Sequence, residues 1–408
     1  MKRLRLWPCK DIDLSWLDVC YAFGMCFLSA IVGRERAEFR LLSDDTVLTC
    51  MSVRAAFDLY LTARNWDQGD ECIFVGLNVP DMFRIAESHG LCVCGTDIDP
   101  ITTQADLFQL RSRINPRTRF IVIPHLFGHR LDLRNVIELA ERQGIDVIED
   151  CAQAFSGKYW WGTRGATVSL FSFGPMKTAT ALQGAVAIVR DSVLANAMKC
   201  ELATYATQPT WRYLARVLRF AAIKIATYPV IYGLLVYGIR KIQVNHEDLI
   251  HSSTKSLSND GFKTWLRARP CGALVRVLER RVEESDASVR LRELKGTVLH
   301  EAIANEVPLV LRNRRPNSYW MIPVLADDSE KFKNALRNKG FDALSGRLAT
   351  IGSKKLNGSE RLEKSVMLPF SPRMLDAELH RLGVVVTAYA AKQLESECGE
   401  SDRKNPRR

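Results

Sequence analysis

A chain of 408 residues, 47% of them hydrophobic and 25% charged, can bury a large core and divide into about two domains, which excludes a disordered polymer. Lysine and arginine exceed aspartate and glutamate by 57 − 46 = 11, which suits an anionic partner such as a phosphorylated ligand or a negatively charged membrane surface. The excess is diffuse apart from "RNRRP" and the terminal "RKNPRR", so it reads equally as a solvated basic surface, and nucleic acid is not expected as a partner. Eleven cysteines, an odd number without a CxxC pair, form neither a disulfide framework nor a zinc site; they fit reduced thiols in the cytoplasm, with no metal expected.

Residues 1–45 read as an N-terminal helical segment. Its apolar run "WLDVCYAFGMCFLSAIVG" follows basic residues, but Asp18 and the lack of a small-residue cleavage site argue against a signal peptide. From 46 to 191 the pattern alternates helix and strand at the rhythm of parallel α/β units. "SVRAAFDLYLTA" has helical spacing, "DECIFVG" is a short buried strand, "VPDMFRIAESHG" is a helix closed by Gly90, and "LCVCGTDID" is the next strand. "TRFIVIPHLFG", "LRNVIELAERQG" and "IDVIEDCAQAF" repeat the order. These strands are apolar on both faces, so helices must cover both sides of the sheet.

Residues 192–315 read as a wholly helical, basic insert or linker. Within it, the longest uncharged run of "WRYLARVLRFAAIKIATYPVIYGLLVYGIRKI" (Trp211 to Ile242) is Ile225 to Ile239, shorter than the roughly 20 residues of a spanning helix, and Pro229 and Gly233 interrupt it. It reads either as a basic amphipathic or re-entrant helix at a bilayer interface, hence a peripheral membrane contact through 211–242, or as a buried linking helix or dimer contact. From Tyr319, "YWMIPVLADD" reads as a strand, "SEKFKNALRNKGF" as a helix closed by Gly340, "VMLPF" as a strand and "DAELHRLGVVV" as a helix. A small α+β domain over 316–390 thus precedes a polar tail, 391–408.

The chemistry gathers at the carboxyl ends of strands, where open α/β sheets hold their ligands. "DVIED" ends in Glu149 and Asp150, "RFIVIPH" runs into His125, and "SLFSFGPMK" runs through Ser172 to Lys177. A lysine in apolar surroundings loses part of its ammonium character, and its neutral amine can attack a carbonyl. A carboxylate on a neighbouring strand can partner a protonated pyridine nitrogen. The plainer reading is a solvated loop lysine and an acidic pair that starts a helix.

The order "VIEDCAQAF" then "SLFSFGPMKTATALQGAVAIVRD" resembles the pyridoxal-phosphate sugar aminotransferases of the DegT/DnrJ/StrS type, of which the chain looks like a divergent member. Their pattern is strand-E-D-A-A-Q-A, then F-S-F-x-x-x-K, then a Gly-rich return strand. The resemblance is good over Val47 to Asp191 and weak from Ser318 to Val386. It implies a fold of the type I pyridoxal-enzyme kind: a large domain around a mainly parallel seven-stranded sheet, and a small C-terminal α+β domain. It implies further that Lys177 carries pyridoxal 5′-phosphate and moves the substrate proton. Asp150 would pair with the pyridine nitrogen, Gln153 would contact the 3-hydroxyl, and Ser172 would bond the phosphate. Ser52, Val53 and Arg54 stand where the family writes S-G-T at a helix N-terminus suited to an anion. His125 matches the His of the family's H-L-Y-G, with a structural role as the alternative.

The departures are specific. Val53 and Arg54 replace Gly and Thr, so an arginine fork would take the place of a hydroxyl. Val79 stands where an aromatic residue stacks on the ring, and the Asn and Arg that a partner subunit supplies are not recognisable. The implied activity is transfer of an amino group, from glutamate, to a keto group of a nucleotide-linked sugar or similar anionic substrate by a homodimer. The rivals are a catalytically lapsed, membrane-associated scaffold and a pyridoxal-dependent sugar dehydratase, whose branch has His where this chain has Lys177.

Overall fold

The computed structural model describes residues 5–32, 39, 46–241, 266–305, 307–312, 314–346, 348–350 and 356–404. Its centre is a seven-stranded sheet built from β1 (Val47–Cys50), β2 (Glu71–Val75), β3 (Cys92–Thr96), β4 (Thr118–Pro124), β5 (Asp146–Asp150), β6 (Val168–Ser172) and β7 (Ala185–Val189). The spatial order is β1-β7-β6-β5-β4-β2-β3. β3, β2, β4, β5 and β6 run parallel, while β7 is antiparallel to both β6 and β1. After β3 the chain crosses to the other side of β2 to lay down β4. This puts a reversal of strand order between β2 and β4, the kind of crevice in which doubly wound sheets bind ligands.

The central strands are apolar throughout because both faces are covered. On one face Phe74, Phe120 and Ile148 meet α2 (Val53–Arg64) and α3 (Pro80–Ser88). On the other, Ile73, Ile121, Ile123 and Val147 meet α4 (Leu107–Arg113) and α5 (Arg134–Glu141). Phe57 of α2 packs edge-on against Phe74 and Phe120, with centroids 6.2 and 5.8 Å away. α2 starts where Ser52 Oγ accepts the Ala55 amide, and it stops where Asn65 enters the left-handed region at φ 48°.

After β7 come α6 (Ser192–Thr204), α7 (Thr210–Ala226) and α8 (Pro229–Lys241), then α9 (Gly272–Glu283) and α10 (Ser285–Ala302). The region is not wholly helical. Ala206–Thr207 and Ala268–Arg269 pair as two short parallel strands (β8, β9), and past Ala302 the chain leaves the helix to bridge Leu309 to Val324. Residues 242–265 lie outside the described ones. α1 (Trp16–Val32) packs along α7 and α9. Asp18, odd in so apolar a helix, is buried and accepts from Ser15 and, at 2.8 Å, from Arg281 of α9. Burial raises its pKa, but Arg281 and the Ser15 bonds outweigh that and hold the carboxyl below its usual range.

A second, three-stranded sheet has order β10 (Pro323–Val324), β12 (Val366–Met367), β11 (Leu344–Ser345), all antiparallel. α11 (Ser329–Asn338), α12 (Asn357–Glu363) and α13 (Asp376–Lys404) accompany it. Phe332, Phe341 and Leu379 form its core together with Leu299 of α10 and Trp7, which bridges to Phe341. The expected tail from 391 is instead the continuation of α13 as far as Lys404, and residues 405–408 of the basic terminus lie outside the described ones.

Candidate active site

Register brings the singled-out residues to one edge of the sheet. Cys50 of β1 pairs with Ala185 of β7, Ala185 pairs with Ser172 of β6, Leu170 of β6 pairs with Asp150 of β5, and Asp150 pairs with Pro124 of β4. One rung further out, Gly184 N donates to Met51 O and Phe173 N donates to Gly184 O. The cap of α2, the end of β6 and the loop carrying Lys177 therefore share one corner.

Ser52 sits in extended backbone and closes α2 with its hydroxyl, which leaves the amides of Val53 and Arg54 at the open, partly positive end of the helix. Ser172 Oγ, on the same sheet edge at the end of β6, lies 3.5 Å from Gly174 N. Val53 turns into the core. Arg54 does not stand alone as an anion fork, because its guanidinium is paired with Asp81 at the start of α3. Val79, at the N-cap of α3, is 40% exposed and offers only an aliphatic edge.

Lys177 and Asp150 bias each other's protons. Burial lowers the Lys177 ammonium pKa, Asp150 opposes this and the charges of Lys10 and Arg54 add to it, with the net result at about 8. Burial raises the Asp150 carboxyl above its ordinary value, opposed by the Ala152 amide, the charge of Lys177 and the Asn78 side chain. Asn78, just past β2, is buried, and its side-chain amide faces Asp150. Gln153 Oε1 accepts the Phe127 amide at 2.9 Å, which fixes the side chain and leaves its amide nitrogen as the remaining donor.

His125 is placed behind this group. Its Nδ1 accepts the Leu131 amide at 2.8 Å, so Nε2 carries the proton and donates to Glu149 Oε1 at 2.8 Å. Both ring nitrogens are thus committed within the fold, and its ring does not reach the Lys177 corner as a donor. Burial raises the Glu149 carboxyl, but His125, Ser169 and Thr163 together bring it down to about 2. His125, Glu149 and Cys151 hold potential ligand atoms within 4.8 Å of one another. Burial and the nearby Glu149 and Asp150 charges keep the Cys151 thiol protonated, so the trio works as a hydrogen-bonded buttress under β5.

Two contributors come from parts of the chain that no motif marked. Trp320 lays its ring 4.2 Å from Lys177 Nζ and donates its indole N–H to Met176 O at 2.7 Å. Its approach depends on Gly128 at φ +104°, where a Cβ would fall 2.6 Å from Trp320 N. Ser318 N and Met321 N donate to Gly128 O and Phe127 O, docking this segment on the turn after β4. Lys10, Gln153 and Trp320 line one cavity, closed on its far side by Leu344, Glu363 and Met367 of the second sheet and its helix. Only the sheet-end position of "IPHLFG" hinted that something would dock there.

The donor set suits a phosphorylated pyridine aldehyde: a helix N-terminus with a serine beside it, a buried carboxyl, and a lysine held near neutrality. Comparison with known proteins agrees. Residues 34–218 match the model of the DegT/DnrJ/EryC1/StrS aminotransferase family. The chain is 35% identical over 147 residues to a GDP-perosamine synthase of Escherichia coli O157:H7, covering 34% of this chain and 39% of the relative. It is 37% identical over 149 residues to an L-glutamine:2-deoxy-scyllo-inosose aminotransferase of Streptomyces kanamyceticus, covering 36% and 34% respectively. The sequence match thus spans well under half the length of these two curated relatives. The solved structure of a sugar aminotransferase from Micromonospora echinospora superposes with a TM-score of 0.67 at 18% identity, covering 93% of this chain and 99% of that one. The fold is therefore shared almost from end to end, that of the pyridoxal-phosphate sugar aminotransferases. With its sequence match carried by residues 34–218, the chain is similar over that part to the DegT/DnrJ/EryC1/StrS aminotransferase family and shares the fold of a sugar aminotransferase over nearly its whole length.

Proposed function

We propose that the protein moves an amino group from an α-amino acid, glutamate or glutamine, to the keto group of a nucleotide-linked sugar or a similarly anionic substrate, using pyridoxal 5′-phosphate. One observation carries this reading: Lys177, its pKa pushed down to about 8, stands with the buried Asp150 at the sheet edge where α2 opens its capped N-terminus. Ser52, Ser172 and the first amides of α2 at Val53 and Arg54 would hold the phosphate, Asp150 the pyridine nitrogen, Gln153 the 3-hydroxyl and Lys177 the aldehyde. When bound, the cofactor supplies an electron sink for charge at the substrate's reacting carbon.

The chain's own residues do the rest. Lys177, part neutral near pH 7, can take a proton from that carbon and return it. Trp320 covers the Lys177 amine against water, and Lys10 adds positive charge to the cavity wall on the route of an anionic substrate. His125, bonded to Glu149, holds the end of β5 in place rather than touching the cofactor. The names of the relatives, a GDP-sugar synthase and a glutamine-dependent transferase, support a nucleotide-linked acceptor and leave both donors in play. A lysine at 177 supports amino transfer over dehydration, and a lapsed scaffold has no need of a lysine held near neutrality.

A homodimer and a large unit over 46–191 followed by a small one over 316–390 belong to the same reading. Every cysteine among the described residues is free, which fits a reducing cytoplasm. Purified protein should show a visible absorption band that fades on adding glutamate or glutamine, and borohydride should fix the cofactor on Lys177. Lys177→Ala should lose both properties. A reduced adduct mapped to another lysine would overturn the assignment.

A further inference from the structure

The outer faces of α1, α7 and α8 carry apolar side chains that no other part of the described residues covers. α7 shows Trp211, Leu218 and Ile225, seven residues apart and 65%, 51% and 47% exposed. α1 lies beside it in the opposite direction. Trp16 Nε1 is 3.3 Å from Tyr228 Oη at one end, and Ser29 and Thr210 hydroxyls are 3.5 Å apart at the other. Its outward Leu17, Phe27, Leu28 and Ile31 continue the same surface. α8 extends it with Val230, Leu234, Leu235 and Tyr237.

The inner faces are pinned. Tyr213, Val217 and Phe220 sit in the main core, while Tyr232 and Val236 pack on Leu6, with Tyr232 Oη donating to Asp342 at 2.5 Å. Such helices present their outer faces but cannot swing out to thread a bilayer. Among the described residues no single helix is long and apolar enough to cross a membrane; α7 and α8 pass that test only together, and they are bent by 89°. At 1.5 Å per residue each is roughly 20–25 Å long, short of the ~30 Å hydrocarbon core.

Charge selects the occupant. Arg212, Arg219 and Arg240 are exposed around the apolar surface. The sequence has no Asp or Glu between Glu201 and Glu247, and the one acidic residue of α1, Asp18, is buried against Arg281. A twofold contact between two copies would set this basic rim against itself, whereas an anionic lipid surface complements it. Of the six basic residues in 211–242, the structure turns two inward: Arg216 donates to Leu182 O, and Lys224 is buried.

We propose that α1, α7 and α8 seat the protein on an anionic bilayer surface, apolar side chains at the acyl boundary and arginines at the head groups, without crossing it. The seat is joined rigidly to the site, since Tyr213 Oη and Arg216 Nε donate from the inner face of α7 to Ala181 O and Leu182 O, just after Lys177. The inference is independent of the catalytic reading.

The test is sedimentation of the full-length protein with vesicles of phosphatidylcholine alone or mixed with phosphatidylglycerol. Binding should require the anionic lipid, shift Trp emission to the blue, and weaken as salt rises. The triple variant Arg212→Gln, Arg219→Gln, Arg240→Gln should bind about a hundredfold more weakly, at roughly fivefold per arginine. Leu218→Ser with Ile225→Ser should abolish binding while the thermal melt and the absorption of bound cofactor stay as in wild type. Equally negligible binding to both vesicle types at low salt would overturn the proposal. So would a solution dimer that Leu218→Arg converts to monomer, which would assign the surface to a second copy.

Discussion

Replacing Trp320 by alanine separates two opposing effects on Lys177. In the wild type, burial is the largest cause taking the Lys177 ammonium from 10.5 to about 8, and the indole lies 4.2 Å from Nζ. At pH 7 that leaves roughly one side chain in ten as free amine, against about one in three thousand for an unperturbed lysine. Trp320→Ala readmits water to Nζ, which raises the pKa by up to the whole interval, 10.5 − 8 = 2.5 pH units. It also removes a cation–π contact, which lowers the pKa by roughly half a pH unit, since such a contact contributes about 0.5–1 kcal/mol at a part-exposed site. Relief of burial wins, and the midpoint should rise by about one pH unit or more. Competitive acetylation over a pH series, on protein freed of carbonyl ligands and read by mass spectrometry of the Lys177 peptide, measures that midpoint directly. A wild-type midpoint at the ordinary lysine value, or a fall in Trp320→Ala, would refute the reasoning.

Glu149 makes an acid-stability prediction. Its carboxyl is held at about 2 in the fold against 4.5 unperturbed, so the stability it contributes is complete above pH 4.5 and is lost as pH falls through 2. Glu149→Gln should flatten the acid limb of urea-unfolding midpoints between those values, a contribution of up to about 3 kcal/mol, and an unchanged acid limb would remove Glu149 as its source. Gly128→Ala should lower the melting temperature, because its Cβ would fall 2.6 Å from Trp320 N and 2.7 Å from Tyr319 N at a left-handed φ. The strain is on the order of 1–3 kcal/mol, and the displaced indole should also raise the Lys177 labelling midpoint; a melt and midpoint like wild type would show that the docking tolerates a side chain.

The sequence by itself determined what depends on neighbours along the chain. Runs such as "FIVIP" and "DVIED" had to be strands buried on both faces, and Ser52 before "VRAAFDLYL" marks a helix start because one hydroxyl can satisfy an orphan amide three residues on. Asp150, Ser172 and Lys177 were legible as polar groups at strand ends, and Gln153 through the resemblance to the aminotransferase family. What lay beyond the sequence was which distant groups close on that edge. Trp320 is 143 residues from Lys177 by number and reaches it only because Gly128 lets a second sheet's lead-in segment approach; Lys10 arrives from the other end of the chain. His125 was identifiable as a strand-end histidine, but its pairing with Glu149 and Leu131, which commits both ring nitrogens, exists only once β4 and β5 lie side by side. In the same way the composition of 211–242 allowed either a membrane face or a buried linker. Only packing decided that Arg216 and Lys224 turn inward while Arg212, Arg219 and the stripe through Leu218 face out. Local backbone preferences act over a few residues, whereas the identity of a partner across a core is set by how distant surfaces fit together.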